Sequence, residues 1–238
     1  MRKILITNDD GIDSDGIRRL AEAAKEFGEV WVIASEHQRS AASHCITLRE
    51  PVAVRPHDFP VKGVHAFACG GSPADCVRVG SLGVMPYKPD VVLSGINYGY
   101  NVASDIQYSA TAGAAFEAAF QGFRAIALSE NADPCHEITD AYLKALLEEY
   151  IDVRVEKNHI ININFPGGKK EECRGTARNT GTSEGSFYHD RYRLVEEKAD
   201  GTRMYLVDGI YNEDAEPGTD FRAILDKYIS VGIVKNIG

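Results

Sequence analysis

Short apolar runs ending in polar, glycine-containing turns alternate with segments whose apolar residues recur at helical spacing, and this alternation restricts the chain to an α/β architecture. Lys3-Ile4-Leu5-Ile6-Thr7 is the first run. It precedes a helical pattern carried by Ile17, Leu20, Ala21, Ala24 and Phe27, with Asp13 or Ser14 placed to cap it and Gly28 to end it. Val30-Trp31-Val32-Ile33-Ala34 reads as a buried parallel strand. A polar loop over 35–43 and an extended stretch over 46–54 follow. Further strands are expected near 64–68, 91–93, 124–128 and 160–165, and helices from Ser72-Pro73 and over 109–121 and 137–150. With right-handed crossovers, the repeated units build a doubly wound, mostly parallel sheet. Beyond about Gly167 the pattern changes. Residues 187–195 and 203–207 flank Asp200-Gly201 as a β-hairpin, and a short helix (219–226) and a strand (228–234) close the chain. A hairpin with so little apolar content of its own needs something to pack on, so it reads as an arm leaning on the main body or on a neighbouring subunit.

At 238 residues and 44% hydrophobic content the chain can bury one sizeable core, so one domain over 1–238 is expected, with a core of about 1–166 and the arm and closing elements over about 167–238. A formal charge of -9 argues against a nucleic-acid polymer as partner, because that binding rests on clustered Lys and Arg. The five cysteines are scattered without a Cys-x-x-Cys pair, which points to reduced thiols in the cytoplasm. The apolar run after Met1-Arg2-Lys3 is too short for a signal-peptide core, and no later segment is long enough to cross a membrane, so a soluble cytoplasmic protein is expected.

Several motifs fail on context. Gly181-Thr182-Ser183-Glu184-Gly185 has the form of a hydrolase nucleophile turn, but no apolar strand precedes it and no helical pattern follows. Neither a dinucleotide fingerprint nor a phosphate loop is present, and the histidines lack metal-ligand spacing. What remains is a set of polar residues at three strand exits: Asp9 and Asp10 after the first strand, Ser40 after the second, and Asn97 with Asn101 after the strand at 91–93. Singly, each is an ordinary turn or cap former. Together they offer carboxylate, hydroxyl and amide oxygens, which Mg²⁺ or Mn²⁺ accepts, at the end of the sheet where ligands collect.

Thr7-Asn8-Asp9-Asp10-Gly11, Arg39-Ser40 with Ile46-Thr47-Leu48, Gly71-Ser72-Pro73-Ala74-Asp75-Cys76, Ser94-Gly95-Ile96-Asn97-Tyr98-Gly99-Tyr100-Asn101 and Tyr108-Ser109 occur in one order and register. Together they resemble the SurE family, the survival-protein 5'/3'-nucleotidases. The resemblance implies a phosphatase acting on nucleoside 5'- and 3'-monophosphates with one divalent metal ion, Mg²⁺ or Mn²⁺. It implies Asp9, Asp10, Ser40 and Asn97 as metal ligands, with Asp9 and Asp10 catalytic. It also implies a Rossmann-like core and a C-terminal arm exchanged in a homodimer or homotetramer.

Asn8, Asn101, Ser109 and Thr111 are candidates to hold the phosphate, with the N-terminus of the helix that begins near Ser109 helping; Ser109 is equally suited to a plain N-cap. Two departures stand out. Ala110 replaces the glycine that family members usually carry after the serine, which would impair binding if positive φ or close backbone approach were needed there. Ser230-Val231-Gly232-Ile233 lacks the usual Thr-Pro. The alternatives are a nucleotide-binding or regulatory protein with impaired catalysis, motivated by Ala110, and a broad phosphatase that also trims short polyphosphate.

Overall fold

The computed structural model describes residues 1–236. Its strands are β1 (Lys3–Thr7), β2 (Glu29–Ser35), β3 (Val54–Pro56), β4 (His65–Cys69), β5 (Val91–Tyr98), β6 (Arg124–Glu130), β7 (His159–Phe165), β8 (Thr176–Thr180), β9 (Tyr188–His189), β10 (Tyr192–Glu197), β11 (Arg203–Val207), β12 (Ile210–Tyr211) and β13 (Ile229–Lys235). The α-helices are α1 (Asp15–Ala24), α2 (Pro73–Val79), α3 (Asp105–Tyr108), α4 (Ala110–Phe120), α5 (Glu137–Tyr150) and α6 (Asp220–Leu225).

Nine strands form one sheet in the order β3-β4-β2-β1-β5-β6-β7-β13-β8. From β4 to β7 every neighbour is parallel, as the alternating pattern requires. The antiparallel pairs, β3 with β4 and β7 with β13, lie outside that block. The chain runs from β1 outward through β2 to β4, then crosses back to β5 and outward again through β6 and β7. The order therefore reverses between β1 and β5, and the crevice beyond their carboxyl ends is where this class of sheet binds ligands.

Alternation along β1 shows how the layers are held. Ile4 and Ile6 point into one core with Ile17, Leu20 and Leu143 from α1 and α5, while Leu5 points into the other with Val77, Ala115 and Phe116 from α2 and α4. Both faces are covered, so β1 carries apolar residues without interruption.

Two details lie beyond the sequence reading. The extended stretch over 46–54 enters strand β3 at Val54, and near its start the Thr47 N–H is held by the Asp75 carboxylate (2.9 Å). The closing strand β13 inserts antiparallel beside β7, with β8 parallel on its other side, an arrangement the local pattern does not contain. The hairpin is present as β10–β11, with a bulge between Leu194 and Glu196. Its base is anchored by a small cluster in which Phe187 packs with Val102, Ala103, Phe221 and Ile224. The Phe187 and Phe221 ring centroids lie 4.9 Å apart.

Candidate active site

The site begins with hydrogen bonds between loops. Gly11 turns the chain after β1 with φ +99°, and Ile12 N–H then donates to Ser35 O (2.9 Å). Arg39 N–H donates to Asp9 O (2.7 Å), which lays the loop after β2 along the β1 exit and brings Ser40 to Asp9. The same loop is tied at its far end. Ser72 Oγ donates to Cys45 O (2.6 Å), and the Asp75 carboxylate accepts the Thr47 N–H (2.9 Å) and hydroxyl (2.7 Å). Between these ties it lies on α4 at Gly113, where a Cβ would stand 2.6 Å from Ser43 O.

The β5 exit is shaped differently. Gly95, at φ +141°, lies so close to β6 that a Cβ would stand 2.3 Å from Leu128 O, and the register with β6 slips between Ser94 and Asn97. Beyond it, Asn97 Nδ2 donates to Gly99 O (2.8 Å). Asn101 is buried and held from three sides. Its N–H donates to Asn164 Oδ1 (2.9 Å), its amide nitrogen to Ser129 Oγ (2.8 Å), and its carbonyl accepts from Asn162 (2.8 Å) and Asn164 (3.1 Å). Asn162 and Asn164 were not among the expected site residues. Their signal was two asparagines two apart, hence on one face, in an otherwise apolar strand.

These loops enclose a cavity of about 340 Å³ whose lining includes Asp9, Ser40, Asn97, Asn101 and Ser109. Its more exposed wall carries Tyr98 and Tyr108, with Tyr100 and Tyr188 also lining it, and two further carboxylates, Asp105 and Asp190, complete it. Burial pushes the Asp9 carboxyl up to about 6, against the hydrogen bond from the Thr111 hydroxyl (2.6 Å), with the like charge of Asp10 adding to the rise. Asp10 faces an adjoining cleft of about 300 Å³ beside Arg19 and Glu130. Burial raises its pKa too, opposed by the Tyr98 N–H bonded to Oδ2 (2.9 Å). A larger groove of about 480 Å³ between α1 and α5 is lined by charges already paired with one another, such as Arg19 with Asp140 (2.8 Å).

Comparison with known proteins decides the family. The family model described as "Survival protein SurE" matches residues 4–188, which takes in every strand exit described above. The chain belongs to the SurE family. The 5'-nucleotidase SurE of Thermosipho melanesiensis is 34% identical over 96% of this chain and 89% of its own length, and that of Clostridium botulinum (strain Loch Maree) is 36% identical over 96% and 90%. The crystal structure of the SurE protein from Aquifex aeolicus superposes with a TM-score of 0.83 at 31% identity, covering 99% of this chain and 94% of that one.

The eight residues singled out from the sequence and the SurE resemblance are placed as follows. Asp9, Ser40, Asn97, Asn101 and Ser109 share the cavity, and Asp10 stands one residue away, turned toward the adjoining cleft. Asn8 and Thr111, expected at the phosphate, are fully buried behind the wall. Asn8 donates to Gly11 O (3.0 Å) and Ser14 Oγ (2.7 Å), bracing the turn, and Thr111 spends its hydroxyl on Asp9. Ser109 accepts the Ala112 N–H (3.0 Å) and so caps α4 while facing the cavity. Ala110 is the first residue of α4 and is not among the residues with positive φ, so the conformation that would exclude an alanine does not arise.

The donor set can be weighed against a cation. Among the described residues no group of three or more His, Cys, Asp or Glu side chains converges as a metal cluster. Asp9, Asp10, Ser40 and Asn97 instead supply two carboxylates, a hydroxyl and an amide, and the cavity lining holds three carboxylates and no Lys or Arg. Hard oxygen donors with uncompensated negative charge suit a small divalent cation, and without one such a cavity repels phosphate. No helix among the described residues is long and apolar enough to cross a membrane.

Proposed function

We propose that the chain is a divalent-metal-dependent nucleotidase that hydrolyses nucleoside 5'- and 3'-monophosphates to nucleoside and phosphate. The observation that carries this reading is the meeting of Asp9, Ser40, Asn97, Asn101 and Ser109 in one crevice at the β1/β5 reversal of a SurE-family chain. The family names support it, since the relatives quoted are 5'-nucleotidases. Asp9, Asp10, Ser40 and Asn97 are the proposed holders of one Mg²⁺ or Mn²⁺. What such an ion supplies when bound is charge neutralisation at the phosphate and a coordinated water of lowered pKa.

The chain's own groups do the rest. Asn101 lines the cavity from a loop whose backbone is fixed by Asn162 and Asn164. Ser109 lines the cavity at the start of α4, so the positive end of the helix dipole is turned toward the phosphate. Thr111 orients the Asp9 carboxylate. The helical placement of Ala110, without positive φ, weakens the case for a non-catalytic binder.

We further propose that the arm joins two copies of the chain. On β10–β11 the paired residues Tyr192 with Val207 and Leu194 with Tyr205 lie on one face, and all four are exposed. Two strands with an open apolar face call for a cover, and a second copy offers the same face.

The test is phosphate release from a panel of nucleoside monophosphates by metal-stripped protein, with Mg²⁺, Mn²⁺ or nothing added back and Asp9→Asn as control. Metal-dependent release abolished in the folded control is the expected result. Absence of release with every metal overturns the reading.

A further inference from the structure

Asp105 stands in this cavity with no task in the chemistry so far. It opens α3 one helical turn before Ser109, whose N–H donates to the Asp105 carbonyl (3.0 Å), so its backbone is tied to the residue that caps α4. Its carboxyl lines the same cavity as Asp9, Ser40 and Asn97, is half-buried, and has no ion-pair partner among the described residues. The titratable groups that share the cavity with it are Asp9 from the β1 exit, Tyr98 and Tyr100 from the β5 exit, Tyr108 on its own helix, and Tyr188 and Asp190 at the arm. None of these side chains is a cation that would hold Asp105 ionised.

Hydrolysis of a nucleoside phosphate releases an alkoxide-like oxygen, a far stronger base than a carboxylate, and this oxygen needs a proton as its bond to phosphorus breaks. In-line displacement puts the leaving oxygen on the side of phosphorus away from the attacking water. Asp9 is 3% exposed while Asp105 is half-buried, so Asp105 is the more solvent-facing of the two, and a leaving nucleoside that departs toward solvent passes it and the nearby Asp190. We propose that Asp105 is the general acid that protonates the leaving nucleoside oxygen. This rests on the phosphatase reading above.

In that step the ester P–O bond breaks with its electron pair passing to the leaving oxygen, which takes the Asp105 proton and departs as the nucleoside hydroxyl. The oxygen of water forms the new P–O bond, one of its protons stays on the phosphate or passes to solvent, and Asp105 recovers its proton from solvent. Water is the only co-reactant. The electrostatics agree with this role. Burial, and then the like charge of Asp190, push the Asp105 carboxyl up to about 6, with a hydrogen bond from Ser104 opposing. A carboxylic acid in that range keeps a useful protonated fraction near neutral pH.

The test compares two esters. With Asp105→Asn, kcat/KM for a nucleoside monophosphate is expected to fall by about 100-fold or more, while that for p-nitrophenyl phosphate, whose leaving group departs without a proton, changes by less than about 3-fold. The wild-type profile on the nucleotide falls as pH rises through the titration of Asp105, the limb is absent from Asp105→Asn, and Asp190→Asn moves it to lower pH by removing the like charge. Equal losses on both esters in folded Asp105→Asn, or no loss on either, overturn the assignment. A wild type inactive on both esters with either metal instead overturns the phosphatase reading, and the assignment with it.

Discussion

Thr111 shows how much of this site is decided one side chain at a time. It is fully buried on the first turn of α4, and its hydroxyl is the side-chain donor to the carboxylate of Asp9, whose pKa burial has already raised to about 6. A hydrogen bond to a charged group is worth about 1.5–3 kcal/mol. Thr111→Val keeps the shape and removes the donor, so divalent-cation affinity is expected to fall by about 10–100-fold. Titration calorimetry on the metal-stripped protein measures this; affinity unchanged from wild type would show that Asp9 needs no such support. In the sequence Thr111 stands out only as a hydroxyl near a helix start. Its actual partner could not be read there, because the two residues come together only when α4 packs behind the β1 exit.

Among the elements, α2 ties down the far end of the loop that carries Ser40. Asp75 closes a capping box with Ser72 and also takes the N–H and hydroxyl of Thr47. Burial alone would raise its pKa, but the hydrogen bonds from Thr47 and Ser72 together outweigh burial and leave the Asp75 carboxyl below the ordinary aspartate range. A depressed folded-state pKa contributes stability that is present above the unfolded value and lost as pH falls through the folded one. Asp75→Asn should therefore cost about 1–2 kcal/mol at pH 7, lowering Tm by roughly 2–8 °C. The gap to wild type is full above the unfolded-state value of about 4 and narrows as pH falls below it toward the lower folded-state value, where Asp75 itself becomes protonated. Thermal melts in a series from pH 7 down to the acid limit of the folded state decide this, and a gap that stays constant throughout would mean the carboxylate charge contributes nothing. The cap was legible from Ser72-Pro73 followed by an acid three residues after the cap. Its second duty, to Thr47, depends on a contact across 28 residues of chain.

For the whole molecule, the question is what covers the arm. Tyr192, Leu194, Tyr205 and Val207 expose 72%, 45%, 54% and 54% of their surface on one face of a two-stranded ribbon, which makes burial against another copy favourable. On the proposed arm-to-arm pairing, the wild type is an oligomer and the paired change Leu194→Asp with Tyr205→Asp should give a monomer while the nine-stranded sheet stays folded. Light scattering coupled to gel filtration, with circular dichroism as the folding check, tests it. Either a wild type that is monomeric or a variant that remains an oligomer would refute a role for this face.

The doubly wound sheet, the helices on its two faces and the hairpin were all legible in the sequence, because each follows from local periodicity: strands buried on both faces are apolar throughout, and amphipathic helices repeat every three to four residues. The strand exits that carry Asp9, Ser40 and Asn97 were legible for the same reason, since a polar residue that ends an apolar run marks the end of the sheet. Tertiary structure alone decided which polar groups face a ligand and which serve them. It buried Thr111 and Asn8 behind the wall, recruited Asn162 and Asn164 from β7 to hold Asn101, turned Asp10 toward a neighbouring cleft, and brought Asp190 from the arm to the cavity that Asp105 lines. Such pairings join residues up to a hundred positions apart, and no periodicity along the chain encodes them.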